Sequence, residues 1–404
     1  MFSASPAEHS ATPKRLIWAL CLASIVIYIN LYTVQGMLPL IAEHFNVTGA
    51  KATLILSVTS FTLAFSLLVY AVLSDRIGRL TPIVVSLWAI VVSNILLIFT
   101  QDFDSLIMVR LFQGILLAAV PATAMAYFKE QLAPKFMLKA AAVYIMSNSL
   151  GGISGRLFGG LMAQYLDWQQ SMIFIFFVSF FGVALVTYLL PRQEVRPEKQ
   201  HLGFIKSIKY DLKGFVVHLS DPQMRLVYLI GGIAFMMMVN QFSFVQLHLM
   251  QAPYSLSRFA ATLIFLCYLS GTLSSYSSAK LIMKYGSVTL FKVALLLMIT
   301  GSLITLADTL AFIVLGFLIT ASGFFLAHSC CNSFVAVRAT THRAKATSLY
   351  LCSYYLGAAL GGPYLMVFWH HANWDGVVLG SLVLLAILVL AVTYLAKISR
   401  QQPA

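Results

Sequence analysis

Long apolar runs separated by short polar stretches set the pattern of this chain. A helix crosses a bilayer with about 20 apolar residues, and residues 16–40, 50–73, 80–99, 105–128, 140–163 and 170–190 each have that length. After a polar stretch, residues 223–247, 258–279, 288–306, 309–336, 346–368 and 376–398 do so again. The pattern predicts an all-α integral membrane protein of 12 transmembrane helices in two six-helix bundles, numbered below as spans 1 to 12. The expected organisation is an N-terminus over 1–15, a first bundle over 16–190, a linker over 191–222, a second bundle over 223–398 and a tail over 399–404. Within the linker, Ile205, Ile208, Leu212, Val216 and Leu219 share one helical face with Lys206, Lys209 and Lys213 off it, which predicts an amphipathic helix lying in the membrane interface.

Composition agrees with burial in lipid. Of 404 residues, 60% are hydrophobic and 10% charged, and mean hydropathy is +0.88, against about 25% charged in soluble domains. The run behind Lys14 and Arg15 is too long for a cleavable signal and reads as span 1. Cys21, Cys267, Cys330, Cys331 and Cys352 all fall in apolar runs, so neither disulfides nor a metal site are expected.

A formal charge of +13 would suggest nucleic acid in a soluble protein, but its distribution fixes topology instead. With the N-terminus in the cytoplasm, alternating spans place 22 of the 26 Lys and Arg residues on the cytoplasmic side and only Lys51 and Arg258 outside. Arg110 and Arg156 lie within spans. Glu43, Asp102, Asp104, Asp167, Asp308 and Asp375 fall on the outer side. Both termini are thus expected in the cytoplasm, with the lipid bilayer, not nucleic acid, as partner of the basic surface.

The halves repeat. At a shift of 206 residues, Ser147, Leu150, Gly151 and Gly155 match Ser353, Leu356, Gly357 and Gly361, and Trp168 falls opposite Trp374. At a shift of 208, Arg76-Ile77-Gly78 falls opposite Lys284-Tyr285-Gly286. Parallel six-helix repeats are a transporter architecture, with substrate bound near the midplane between the halves.

The loop Asp75-Arg76-Ile77-Gly78-Arg79 resembles the signature loop of the major facilitator superfamily, with Ala71 and Leu80 departing from its pattern. Arg110-Leu111-Phe112-Gln113-Gly114 is similar to the family's span-4 motif, and Gly151 to Gly160 resembles the span-5 motif of its proton antiporters, with Arg156 at the proline position. Ser154-Gly155-Arg156-Leu157, Ala327-His328-Ser329 and Ser348-Leu349-Tyr350-Leu351 resemble the bacterial YnfM-type subfamily, the acriflavine-sensitivity group. That resemblance implies efflux from the bacterial inner membrane, a monomer, and no cofactor beyond a proton gradient. It also implies that Asp75, Arg76, Gly78 and Arg79 form a gate in which Asp75 caps a helix and pairs with a base, and that spans 1, 4, 7 and 10 line a cavity.

A charge inside a span is costly and normally faces a cavity or a partner. Arg110, with Gln113 beside it, reads either as a cargo or proton contact or as an interhelical hydrogen-bond hub. Arg156 lies in the row Asn148, Gly152, Arg156, Gly160, beside the small-residue row Ser147, Gly151, Gly155, Gly159. Its guanidinium must reach an anionic cargo group or acceptors on a facing helix. Tyr32, Gln35, Asn240, Gln241 and Asn332 on the lining spans, with Tyr354 on span 11, complete the substrate candidates. No acidic residue lies mid-span, so the cargo is expected to be anionic or amphipathic, and His328 is the candidate for proton coupling together with Arg110. The expected function is proton-coupled efflux of a small organic solute by alternating access. The alternatives are uptake of an organic anion and, in a different class, a non-transporting membrane sensor. No catalytic motif suggests an enzyme.

Overall fold

A computed structural model describes residues 13–191 and 204–400; residues 1–12, 192–203 and 401–404, with the terminal and linker expectations that fall on them, lie outside it. Among the described residues the fold is helical throughout. The helices long and apolar enough to span are Pro13–Gly36, Gly49–Ile77, Leu80–Ile98, Phe103–Gln131, Pro134–Tyr165 and Trp168–Leu189 (spans 1 to 6). Then come Pro222–Leu249, Arg258–Tyr285, Ser287–Ile304 and Leu310–Arg338 (spans 7 to 10) and a last stretch starting at Arg343. That stretch runs to Arg400, 58 residues, which as one straight helix would be about 87 Å long. It is instead broken at Ala372 and Asn373, where Asn373 takes φ 46°, a left-handed conformation that Asn tolerates. The arms fold back on each other, with Tyr364 Oη donating to Gly380 O at 3.0 Å. The break falls between the stretches expected as spans 11 and 12, used below as labels for the two arms.

Span 1 ends sooner than its apolar run. The chain breaks at Met37 and restarts as Leu38–His44, a helix with proline in its first turn.

Close helix pairs hold each half. In span 5, Gly151, Gly155 and Gly159 lie against the backbone of Ile25, Ile29 and Thr33 in span 1, so tightly that an added Cβ would meet it within 3 Å at each. In the second half, Gly357 and Gly361 of span 11 lie on Gly232 and Met236 of span 7 in the same manner. Small residues at four-residue spacing let the backbones touch, where the gain is packing rather than water release. The repeat read in the sequence is therefore a repeat of one packed helix pair.

The halves meet from mid-span to the end that carries Glu43, Asp102, Asp167 and Asp308, here called the acidic end. Gln246 Nε2 donates to Gly36 O at 3.0 Å, Arg258 Nη1 donates to Ala163 O at 3.0 Å and its Nη2 pairs with Glu43, and Gly160 abuts Thr262. Toward the opposite, basic end Ile145 and Met146 of span 5 and Leu273 and Tyr276 of span 8 are exposed, Tyr276 by 86%.

The linker helix Phe204–Ser220 crosses the basic end. It turns the side bearing Asp211, Gly214 and His218 inward and leaves Leu212, Val216 and Leu219 exposed. In water this would be inverted. The apolar face suits a membrane interface.

Candidate functional site

The glycine rows explain where Arg156 goes. With Gly151, Gly155 and Gly159 pressed on span 1, the adjacent row of span 5 (Gly152, Arg156, Gly160) faces the other half. Arg156 is 2% exposed. Its Nε donates to Gln35 Oε1 at 2.8 Å and its Nη1 to Gly152 O at 3.0 Å. Tyr32 of span 1 lies 3.7 Å from the guanidinium carbon, Tyr268 of span 8 at 4.7 Å and Phe265 at 5.2 Å. Gln35 itself crosses the junction, its Nε2 donating to Val239 O and Ser243 Oγ at 2.8 Å. Tyr354 is within electrostatic reach of Arg156, Tyr32 and Tyr268, and its ring stacks on Phe235 at 3.7 Å. Tyr28 and Tyr355 close the cluster across the halves, oxygen to oxygen at 3.1 Å. No carboxylate pairs with Arg156 among the described residues, and the Tyr268 hydroxyl is buried without a hydrogen-bond partner.

Arg110 is placed differently. It is 1% exposed inside the first half. Nε donates to Thr59 Oγ1 at 3.0 Å, Nη1 to Asn30 O at 3.1 Å and Gln113 Oε1 at 2.7 Å, and Nη2 to Leu31 O at 3.2 Å. Gln113 Nε2 then donates to Ser93 Oγ and Asn94 Oδ1, each at 2.9 Å, and Asn94 Nδ2 to Asn30 Oδ1 at 2.8 Å. This network joins spans 1, 2, 3 and 4. Of the two readings open for Arg110, the geometry is that of the hub.

The other candidates scatter. Asn148 accepts from Ser24, tying spans 1 and 5. Asn240 Nδ2 donates to Met236 O at 2.8 Å and Ala358 O at 3.2 Å, and Gln241 Nε2 to Ser302 Oγ at 3.3 Å, all within the second half. His328 lies there too. Asn332 Nδ2 is 3.0 Å from its Nε2 and Tyr350 Oη 2.7 Å from its Nδ1. With Asn332 donating to Nε2, the neutral ring carries its proton on Nδ1 and donates it to Tyr350. The ring centroid is 4.8 Å from that of Tyr354, which links His328 to the junction cluster.

In the gate, Asp75 pairs with Arg79 one turn on, and Arg79 also reaches Glu130 Oε1 at 3.0 Å. Span 3 starts behind Arg79, whose own side chain makes no cap hydrogen bond. Gly78 takes φ 92° and Gly286 takes φ 77°, so both copies of the loop need glycine for the same turn. Sequence reasoning missed Asp211, whose carboxylate accepts from Arg76 Nη2 at 3.0 Å and Lys345 Nζ at 2.8 Å, one cation from each half. It also missed Tyr268 and Phe265, which the resemblance left outside the lining spans.

A sequence profile described as "Major Facilitator Superfamily" matches residues 20–362. The chain belongs to this superfamily. Among curated relatives, the inner membrane transport protein YnfM of Escherichia coli is 35% identical over 369 residues, 91% of this chain and 87% of that one. An uncharacterized transporter of Buchnera aphidicola is 31% identical over 387 residues, 96% and 92% of the two chains. Solved structures share the fold: the nucleoside transporter NupG has TM-score 0.75 at 12% identity, covering 95% of this chain and 99% of that one. A bacterial homologue of the lysosomal transporter Spinster, titled as inward-facing and unoccupied, has TM-score 0.72 at 16% identity and covers 100% of both. The protein is a multi-pass membrane transporter, not an enzyme.

At the 206-residue shift both arginines fall opposite a glycine, Arg110 opposite Gly316 and Arg156 opposite Gly362. Gly362 abuts Ser57 of span 2.

Proposed function

We propose that this transporter is a proton-coupled exporter of a small anionic or amphipathic organic solute, working as a monomer by alternating access in the bacterial inner membrane. The basic end is the cytoplasmic one by the positive-inside rule, so both termini are cytoplasmic. The observation that carries the reading is Arg156, a buried guanidinium without a carboxylate partner, held by residues of both halves. A site shared by two bodies changes its exposure when they rock, which is what alternating access needs.

Export draws support from the glycine-rich span 5 and from the chloramphenicol resistance protein CraA of Acinetobacter baumannii, 22% identical over 187 residues, 46% of this chain. The proton gradient needs no bound cofactor, and His328 beside Tyr354 is the group proposed to couple it. Uptake of an organic anion would use the same site with the gradient reversed.

The test begins with thermal shift of purified protein against organic anions, cations and neutral amphiphiles. A ligand at 100 times its dissociation constant stabilises by about 2.7 kcal/mol. The compounds that stabilise are then followed in proteoliposomes, where an inward proton gradient should drive their expulsion and unlabelled compound should drive counterflow. Saturable exchange without any response to the gradient would leave a carrier but remove the coupling. No exchange of any stabilising compound would favour a sensor.

A further inference from the structure

We infer that the junction site takes a singly charged carboxylate carried on a flat aromatic body, bound in the plane of the Arg156 guanidinium with the Tyr268 hydroxyl as a second donor. The inference rests on the transporter reading and specifies its cargo.

A guanidinium has five N–H donors, and Nε and Nη1 of Arg156 spend two of them on Gln35 and Gly152. Tyr32, Tyr268 and Phe265 pack round it. Its remaining donors project in its own plane, the geometry that a carboxylate meets with two parallel hydrogen bonds. The Tyr268 hydroxyl, on a residue 6% exposed whose ring centroid lies 4.7 Å from the guanidinium carbon, is a buried donor without a partner and needs an acceptor. Charge sets the valence. Arg110 commits four of its five donors to its own network inside the first half, so one positive charge serves the junction, and a monoanion neutralises it whereas a dianion leaves a buried negative charge.

The aromatic body follows from the walls. Tyr28, Tyr32, Phe235, Tyr354, Tyr355 and Phe265 offer ring faces from both halves. In the conformation described, Tyr32, Tyr268 and Phe265 close over the guanidinium. Tyr32 belongs to the first half and Tyr268 and Phe265 to the second, so rocking the halves separates them. A planar ring of the ligand then replaces ring–guanidinium stacking with stacking of the same kind.

The experiment uses one ring with four substituents: 2-naphthoate, 2-naphthamide, naphthalene-2,6-dicarboxylate and a 2-naphthyl quaternary ammonium ion, each titrated against the purified full chain at neutral pH. Naphthoate should bind tightest, with the amide and the dicarboxylate each roughly 10-fold weaker or worse and the cation silent. Arg156→Gln should weaken naphthoate about 10- to 100-fold while leaving the amide unchanged. Tyr268→Phe, which keeps the ring and removes the hydroxyl, should weaken it about 3- to 10-fold and keeps the question open to test if the Arg156 variant does not fold. Equal binding of acid and amide, or unchanged naphthoate affinity in Tyr268→Phe and Arg156→Gln, would overturn the assignment. Counterflow of compounds of another class, indifferent to Arg156, would sink the carboxylate while sparing the carrier. Naphthoate binding with the expected selectivity but no exchange would do the reverse.

Discussion

Replacing Arg110 by methionine keeps the length and bulk of the side chain and removes every donor. Four hydrogen bonds are lost at once, to Thr59, Asn30, Gln113 and Leu31. Interhelical hydrogen bonds within a membrane are worth about 0.6 kcal/mol on average and about 1.7 at most, so the three to spans 1 and 2, with the intrahelical one to Gln113, set a loss near 2–4 kcal/mol once the helix carbonyls keep their backbone partners. The buried guanidinium also disappears, which returns part of its desolvation cost. Unfolding entropy of about 2.1 cal/mol/K per residue over 404 residues makes 1 kcal/mol worth about 1.2 °C. Arg110→Met should therefore lower the unfolding midpoint in detergent by about 3–5 °C.

Arg156→Met is the matched control. It gives up two hydrogen bonds rather than four, and removing its buried charge returns part of the desolvation cost, so its midpoint should fall by about 1 °C or rise. Thermal unfolding followed by intrinsic fluorescence at fixed scan rate compares the two, since irreversible unfolding makes the midpoint depend on rate. The reasoning fails if Arg110→Met unfolds like the parent while losing ligand binding, because Arg110 would then be at the cargo rather than in the scaffold. It fails equally if Arg156→Met is the less stable of the pair.

Asp211→Asn removes the carboxylate that ties Arg76 to Lys345 across the basic end in the conformation described; at about 1–2 kcal/mol for this mostly buried cluster, spin-label distances across that end should shift toward a longer population with ligand affinity unchanged. His328→Gln keeps a hydrogen-bonding side chain but cannot hold a proton, so binding should survive and gradient-driven transport should lose its pH dependence; an unaltered pH profile would release His328 from coupling. Gly36→Ala drives a Cβ to 2.1 Å from the Arg156 carbonyl oxygen, and forcing spans 1 and 5 apart there should cost about 1–3 kcal/mol and weaken ligand binding together with stability.

Features with a local period could be read directly from the sequence. The glycine rows of spans 5 and 11 recur every four residues, and that spacing alone implies a backbone pressed on each of them. The turn at Gly78 and its copy at Gly286 were visible because a positive φ demands glycine in both halves. The end of span 1 was not, since Met37 to Leu40 continue an apolar run and only the proline hints at the restart. Asp211 was hidden for a related reason. The linker announces itself by its apolar face, and nothing in its periodicity says that its polar face turns toward two cations far away in sequence.

The site shows where duplication stops informing. Gln35 and Gln241 occupy equivalent positions 206 residues apart. Gln35 binds Arg156 and crosses to Val239 and Ser243, whereas Gln241 stays in its own half on Ser302. The difference arises because Arg156 has Gly362 as its counterpart, so the amide of Gln35 has a cation to orient it and that of Gln241 has none. The helix pair occurs twice, and the guanidinium stands in only one copy, beside the glutamine that reaches across the junction. A side chain's partner depends on the element facing it, and for Tyr268 and Phe265 that element lies more than 100 residues away, beyond the reach of any pattern within their own helix.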